Sequence, residues 1–263
     1  MTRLHSRLAP TILMLSVALG TARAQVSIGI LSFGSYSGGP FDAVNNANLN
    51  VHFQIPVLAK PGPLPFSYAI GYDSSVWYDG GGGKWTPVPY WGWAGISPAA
   101  YGYIGYTAFG PATCYDSQHQ PHTFYAFSSW VYYDQWGVGH NFSFTIYTQT
   151  PCGPTPAQET VTATDSSGYT LTAYAGSTSA TTTLYSRSGA LINVPAVTSG
   201  TGSGGSVTDS NGNTISATSS GGTDYYYDTL LPTGTAALTI SGAAPNPTAF
   251  TYPAPARSAE TPR

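Results

Sequence analysis

The chain has few charged residues and lacks the composition that long helices need. Asp, Glu, Lys and Arg make up 7% of its 263 residues, and Glu and Lys occur only twice each. Solvent-exposed helices rely on periodic faces of Ala, Leu, Glu, Lys and Arg. Short runs of Tyr, Thr and Val between Gly, Pro, Asn and Asp are instead typical of strands and turns. The sequence predicts an all-β fold of antiparallel sheets made of short strands and hairpins.

Positive charge is also scarce, with a formal net charge of −3. The absence of a basic patch argues against nucleic acid or anionic membrane as a partner. Residues 1–24 have the pattern of a secretory signal peptide, with Arg3 and Arg7 before an apolar stretch and Ala22-Arg23-Ala24 at its end. An uncleaved membrane anchor is the alternative, but the stretch is short for a membrane span. We expect an exported chain beginning at Gln25, without a later membrane span, in the periplasm, at the cell surface or outside the cell.

The chain has only two cysteines, Cys114 and Cys152. In an oxidising compartment two thiols of one exported chain most often pair. We therefore predict a disulfide between them. Two free buried thiols remain the alternative at this stage, because only the distance and orientation of the side chains decide the matter.

A short unit recurs in the second half of the chain, roughly 20 to 30 residues apart. It consists of Asp or Ser, two small or polar residues, Gly, and then an alternating run. The copies carry Asp134 and Gly137, Asp165 and Gly168, Ser186 and Gly189, and Asp209 and Gly212, with a looser copy at Asp228. Repeats at this interval usually mark one supersecondary unit that stacks on its neighbours. They favour a scaffold over a catalyst.

Composition divides the chain further. We predict an extended lead-in over residues 25–48, an aromatic-rich β-domain over residues 49–155, a β-repeat region over residues 156–242 and a disordered Pro-rich tail over residues 243–263. The last apolar run, Ala237 to Ile240, is followed only by this tail. We therefore expect an open sheet edge there that pairs with further repeats or with another β-rich chain.

The alternation at the start of the aromatic region predicts a half-buried strand. Leu49, Val51, Phe53 and Ile55 share one face, and Asn50, His52 and Gln54 share the other. The apolar face is expected to face the core, and Pro56 is expected to end the strand.

Two stretches resemble a known family. The recurring unit, with Tyr or Thr before its Asp, resembles the YD repeat of Rhs-type proteins, bacterial relatives of the teneurins. Residues 49–77 read LNVHFQIPVLAKPGPLPFSYAIGYDSSVW, which is similar to the segment that opens many secreted bacterial Rhs-repeat proteins. Together the matches cover most of residues 45–242. The resemblance implies YD-type β-repeats in a sheet that spirals into a hollow shell, which often encloses a toxin or mediates contact between cells.

The chain departs from this pattern in its repeats. Tyr169, Ala190 and Asn213 stand where the family usually has Arg after the Gly. So few repeats cannot close a shell, and no toxin domain follows them. The resemblance therefore implies the N-terminal portion of such an architecture, truncated or freestanding, and the cage function does not carry over.

Three groups of residues are candidate sites of chemistry. His119 and His122 with Asp116 and Cys114 form a metal-type cluster, but they are more typical of a polar loop. Asp73 beside aromatic residues is a hydrolase candidate, although Asp in such a turn commonly caps the backbone. The spacing from Asp209 onward departs from that of a calcium loop. We expect no metal, no cofactor and no catalytic residue.

The densest aromatic segment is the remaining candidate site. Flat aromatic side chains stack on sugar rings or bury a partner's side chains, but a chain poor in Leu and Ile also builds its core from them. The candidate face comprises Trp77, Trp85, Trp91, Trp93, Tyr101 and Tyr103.

The expected function is that of a non-catalytic exported scaffold or adhesion module related to the N-terminal part of Rhs/YD-repeat proteins. A carbohydrate-binding module that uses the Trp/Tyr surface is the alternative. A secreted hydrolase is the third possibility considered.

Overall fold

The computed structural model describes residues 34–47, 49–74, 77–79, 83–87, 92–97, 99, 102–200, 204–242 and 246–253. Over these residues the chain forms strands, turns and loops but no helix, so the all-β prediction is confirmed. The predicted signal peptide lies outside the described residues.

The first half of the chain contributes β1 (Tyr36–Ser37), β2 (Asp42–Asn45), β3 (Val51–Lys60), β4 (Phe66–Asp73), β5 (Trp77–Asp79), β6 (Trp85–Pro87), β7 (Gly92–Ile96), β8 (Tyr103–Tyr115), β9 (Pro121–Tyr133), β10 (Gly139–Phe142) and β11 (Ile146–Tyr147). The second half contributes β12 (Gln158–Thr162), β13 (Thr170–Ala175), β14 (Ala180–Tyr185), β15 (Leu191–Asn193), β16 (Ala196–Val197), β17 (Gly205–Thr208), β18 (Thr214–Ser220), β19 (Thr223–Asp228), β20 (Ala236–Ser241) and β21 (Ala249–Thr251).

These strands form three sheets and one separate hairpin, β5–β6. Sheet 1 has the order β1-β2-β3-β4-β7, and sheet 2 has the order β10-β9-β8-β16, with β11 also paired to β9. Sheet 3 contains nine strands in the order β12-β13-β14-β15-β17-β18-β19-β20-β21. The pairings are antiparallel except that of β16 with β8, which is parallel.

Sheet 3 packs against both other sheets through its inner face. One core joins it to sheet 2 around Phe127, Trp130 and Leu184. The other joins it to sheet 1, where the Phe66 and Tyr226 ring centroids are 5.8 Å apart. Sheet 3 begins shortly after the predicted boundary at residues 155 and 156. Both cores, however, combine residues from the two sides of that boundary.

The two cores are continuous along sheet 3. Leu184, Ile192, Val207 and Ile215 are successive cross-strand partners in one row. Ile192 belongs to the core against sheet 2, and Ile215 belongs to the core against sheet 1. The arrangement is a two-layer β-sandwich, with sheets 1 and 2 side by side against sheet 3.

The outer face of sheet 3 explains why Thr and Ser dominate the second half of the sequence. Hydroxyl pairs cross between neighbouring strands there, with Oγ1–Oγ1 distances of 2.8 Å for Thr160 and Thr172 and for Thr208 and Thr214. β-Branched residues with a hydroxyl suit a solvent-facing strand because they combine β-propensity with polarity.

Most recurring units form tight hairpin turns. In the Asp209 copy the Gly212 N–H donates to the Asp209 carbonyl, and the Asp209 carboxylate accepts the N–H groups of Asn211 and Asn213. Gly212 has a φ of 82°, which is the left-handed region that favours glycine. This geometry is a type I turn followed by a bulge residue. The Asp134–Gly137 and Ser186–Gly189 copies share the backbone pattern.

Two turns depart from the sequence pattern. At Asp165 the loop is longer, and both Ser166 and Gly168 have positive φ, 64° and 84°. The turn between β8 and β9 has the same hydrogen bonds as the Asp209 turn, centred on Asp116, with His119 at a φ of 59° in place of glycine. This turn does not match the recurring sequence unit, because it has His119 where the unit has Gly.

Strand β3 corrects two expectations. Pro56 does not end it, because the strand continues to Lys60 past a register irregularity between Pro56 and Leu58, where a missing N–H is tolerated. Its burial is also the reverse of the prediction. Asn50 and His52 are buried, whereas Phe53 is 39% exposed and Ile55 is 47% exposed.

The two ends of the chain contribute strands as well. The predicted lead-in contains β1 and β2, of which β1 pairs with β2 and β2 pairs with β3. The predicted tail contains β21, which pairs with β20. β20 is therefore not an open edge, and Leu238 and Ile240 lie in the core against sheet 1. Residues 243–245 and 254–263 lie outside the described residues.

Candidate functional site

A row of partly exposed aromatic side chains crosses sheet 1. Phe53 of β3 is directly opposite Tyr72 of β4, and Tyr72 is directly opposite Trp93 of β7. The ring centroids are 6.2 Å apart for the first pair and 5.1 Å for the second. Trp93 is 59% exposed. We call these three residues the aromatic row.

The aromatic row is flanked by apolar side chains and by one carboxylate, that of Asp42, which is directly opposite Phe53 on β2. Ile55 shares the face of Phe53 because the two residues are separated by one position on the same strand, and it pairs with Ile70. Apolar surface exposed next to three aromatic rings on a rigid sheet is a typical binding feature of soluble proteins. The sequence placed Phe53 and Ile55 in the core, because alternation shows that two faces differ and not which one is covered.

The structure separates the predicted binding residues into three groups. Trp77 and Trp85 lie on the β5–β6 hairpin with 49% and 65% exposure, and Trp93 belongs to the aromatic row. Tyr103 is buried and stacks on Tyr133 with a centroid distance of 4.8 Å, so it supports the core and not a surface. Trp91 and Tyr101 lie outside the described residues.

A second candidate site is a polar cluster where sheets 2 and 3 meet. His140 of β10 is 2% exposed. Its Nδ1 hydrogen-bonds to the Asp165 carboxylate, and its Nε2 lies 3.4 Å from Asp134 Oδ2. Its ring also packs on Tyr169 with a centroid distance of 4.6 Å. The cluster joins the turn after β9 to the loop between β12 and β13.

The electrostatics of the cluster favour the imidazolium form of His140. Burial disfavours the charge, but the hydrogen bonds and charges of Asp134 and Asp165 outweigh it and raise the pKa of His140 above 6.5. Burial likewise opposes ionisation of Asp165, yet its bonds to Ser167 and His140 hold its pKa below 3.8. Burial, with the two nearby carboxylates, raises the pKa of Tyr169 to about 12.

The chemistry of this cluster suits a structural clamp. An imidazole that faces a carboxylate at each nitrogen donates to both only when protonated. Neither nitrogen is then available to take a proton from a substrate. The other Asp134 carboxylate oxygen accepts the N–H groups of Trp136 and Val138, which fixes the turn.

Asp73, the hydrolase candidate, is also a buried structural group. Its Oδ2 accepts a hydrogen bond of 3.1 Å from the Asn50 side chain and lies 3.6 Å from His52 Nδ1. The Ser74 hydroxyl donates to the Asn50 side-chain oxygen. These contacts tie the start of β3 to the end of β4, as expected for a side chain that organises a turn.

The disulfide prediction is confirmed, and it removes one member of the metal-type cluster. Cys114 is bonded to Cys152 with a Cα–Cα distance of 5.8 Å. His122 Nε2 is 2.9 Å from Asp116 Oδ2, and that hydrogen bond is the main reason that the pKa of Asp116 is lowered. His119 supplies the left-handed residue of the same turn. Within the described part of the chain no three His, Cys, Asp or Glu side chains are grouped to hold a metal ion.

Comparisons with known proteins add no relative, since no family model, curated protein or solved structure matches the chain. The described segments also contain no helix with the length and apolarity needed to span a membrane.

Proposed function

We propose that the chain is a non-catalytic, exported scaffold and adhesion module, corresponding to the N-terminal part of an Rhs/YD-repeat architecture. Support for export comes from the signal-like residues 1–24 and from the disulfide, a bond typical of oxidising compartments. Support for a scaffold comes from the two-layer sandwich, in which tight turns repeat the sequence unit.

The observation that carries the proposal is the aromatic row. Phe53, Tyr72 and Trp93 form a contiguous set of rings on strands that the sheet holds in place. Exposed aromatic residues on a rigid scaffold are the side chains that contribute most to recognition, because they bury a large area at little entropic cost. A partner that covers this row supplies the burial that the fold leaves incomplete.

A carbohydrate ligand is the second candidate, and the chemistry around the row favours it specifically. The neighbouring positions on this face include the apolar residues Ile55 and Ile70, and Asp42 opposite Phe53 brings a carboxylate. Aromatic rings suit the apolar faces of sugar rings, and a carboxylate beside them accepts hydrogen bonds from sugar hydroxyl groups.

A further β-rich segment is the partner that the repeat resemblance suggests. Among the described strands β21 has a neighbour on one side only. Additional repeats would extend sheet 3 at this strand by backbone pairing.

The test compares the full chain with its Trp93→Ala variant. Beads that carry the wild-type chain are expected to adhere to bacterial cell surfaces, and Trp93→Ala should weaken the binding by about tenfold or more. Tyr174→Ala is the matched control, because Tyr174 is an aromatic residue with 40% exposure on sheet 3. Equal binding by wild type and Trp93→Ala would refute the role of the aromatic row.

Competition separates the two candidates. Inhibition by free neutral oligosaccharides supports the carbohydrate-binding function. Binding that resists sugars but is lost when the cells are treated with protease supports adhesion to a protein.

A further inference from the structure

A β-bulge in β9 forms one wall of a cavity on sheet 2. Ser128 pairs with Thr107 and Val131 pairs with Gly105, so two residues of β9, Ser129 and Trp130, face a single residue of β8. Ser129 has a φ of 57°, in the left-handed region. The bulge buries Trp130 while Ser129 stays exposed. A cavity of about 480 Å³ lies beside it, between β9 and the segment that follows β10.

The cavity lining is uncharged and rich in hydroxyl groups. The aromatic residues of the lining are Trp130, Phe142 and Phe144, and the rings of Trp130 and Phe144 stack at 5.3 Å with an interplanar angle of 3°. The polar side chains are those of Ser128, Ser129, Asn141, Ser143, Thr145 and Thr164.

One lining residue has an unsatisfied hydrogen-bond donor. Trp130 is 1% exposed, and its indole Nε1 has no hydrogen-bond partner among the described residues. A buried donor without a partner is unfavourable, because its hydration is lost without a compensating hydrogen bond. This nitrogen is enclosed by packed side chains and is not accessible from the cavity, but Trp130 itself lines the cavity, so its indole N–H resonance reports a ligand bound there.

We propose that this cavity binds a small neutral polyhydroxylated molecule, of the class of a mono- or disaccharide. A charged ligand would lose its hydration without gaining a charged partner, because no lining side chain is charged. A purely apolar ligand would displace water from the hydroxyl groups of the lining without replacing its hydrogen bonds. The volume is within the range of small-molecule sites. The site is separate from the aromatic row and does not depend on the function proposed for that row.

The test is an NMR titration of the full chain that follows the Trp130 indole N–H resonance. The neutral probes are glucose, N-acetylglucosamine and cellobiose, and the charged probes are glucuronate and glucosamine. Each is added to about 50 mM, which saturates a site of millimolar affinity. A neutral sugar is expected to shift the Trp130 resonance saturably, and the charged sugars are expected to bind at least about tenfold more weakly.

Two matched variants locate the site. Ser129→Asn fills the cavity wall while keeping a residue that tolerates positive φ, and it should weaken binding by about tenfold or more. Ser166→Asn makes the same change at an exposed residue with a φ of 64° that does not line the cavity, and it should leave the titration unchanged. Trp93→Ala should also leave it unchanged, which distinguishes this site from the aromatic row.

Three results would overturn the proposal. The first is a Trp130 resonance that does not move with any neutral sugar. The second is binding of the charged sugars that is as tight as that of the neutral ones. The third is a Ser129→Asn variant that binds like wild type.

Discussion

Lys60 of sheet 1 and Asp228 of sheet 3 form an ion pair in which Nζ is 2.6 Å from Oδ2. The Asp228 side chain is 1% exposed, and its other oxygen accepts the Leu230 N–H. Lys60 ends β3, and Asp228 ends β19. The pair therefore fixes the end of one layer of the sandwich against the other.

Removal of the lysine charge should destabilise the fold. Lys60→Met leaves a buried carboxylate without its counter-ion, and we expect a loss of about 2–3 kcal/mol in the free energy of unfolding. Denaturant unfolding measures the loss. Lys84→Met is the matched control, because Lys84 is exposed and should change stability by less than about 0.5 kcal/mol. Equal effects of the two variants would show that the ion pair does not couple the layers.

The clamp at His140 should make stability depend on pH. The pKa of His140 is raised in the folded state, so its contribution is fully present below about pH 6.5 and is lost as the pH rises through the folded-state pKa. The pKa of Asp165 is lowered, so its contribution is present above about pH 3.8 and is lost as the pH falls through the folded-state pKa. Maximum stability is expected between these values.

Thermal unfolding of two variants over pH 4 to 9 tests the clamp (the range covers about two units on either side of 6.5). In Asp165→Asn the imidazolium keeps one carboxylate, Asp134, so the alkaline loss of stability should be smaller and begin at lower pH. The Tyr169 hydroxyl, with a pKa of about 12, stays neutral throughout. His119→Asn, at an exposed turn, should retain the wild-type profile. An Asp165→Asn profile identical to that of wild type would contradict the clamp.

The turn chemistry predicts substitutions of opposite sign. His119→Gly should stabilise the protein by about 0.5–1 kcal/mol, because glycine adopts positive φ without strain. Gly212→Ala should destabilise it by about 1 kcal/mol. A methyl group added at Gly212 meets no atom of the described residues within 4 Å, so the cost comes from the backbone conformation. Urea unfolding gives both values, and changes of the same sign would contradict the turn assignment.

Strand β21 should protect sheet 3 from self-association. A chain that stops after Gly242 lacks β21, so the unpaired N–H and C=O groups of β20 become an open edge. The loss of Phe250, which packs on the core containing Ile240, also uncovers apolar surface. Sedimentation should find dimers or aggregates of the shortened chain at micromolar concentration and fewer of them for the full chain. A shortened chain that stays monomeric and cooperatively folded would show that β21 is dispensable.

Local features of the fold were accessible from the sequence. Asp209 and Gly212 define a turn through hydrogen bonds between residues at most four positions apart, so their spacing alone is informative. The same reasoning missed the Asp116 turn, because His119 adopts the left-handed conformation that glycine usually indicates. The clamp at His140 was also missed, since its partners Asp134 and Asp165 come from different sheets.

Prediction from the sequence is limited in a different way at the candidate site. The aromatic composition of the segment indicates Trp93, but the alternation of β3 predicts that its neighbour Phe53 is buried, and no sequence pattern indicates Tyr72 as part of a site. Their exposure depends on how far sheet 3 extends over sheet 1, which no local pattern contains. The cavity beside Trp130 arises from a bulge at Ser129, and one extra residue in a strand leaves no distinct signal in a run of Ser, Trp and Tyr.

The sequence by itself determined the all-β class, the identity of the two thiols that could pair and the position of most turns. These properties follow from backbone preferences, short-range hydrogen bonds and the presence of only two thiols. Only the tertiary structure decided that His52 is buried while Phe53 is exposed, and that β20 is covered by β21. Burial is a relationship between distant segments. It depends on which sheet packs against which face, so strands with equally clear alternation can end on opposite sides of the core.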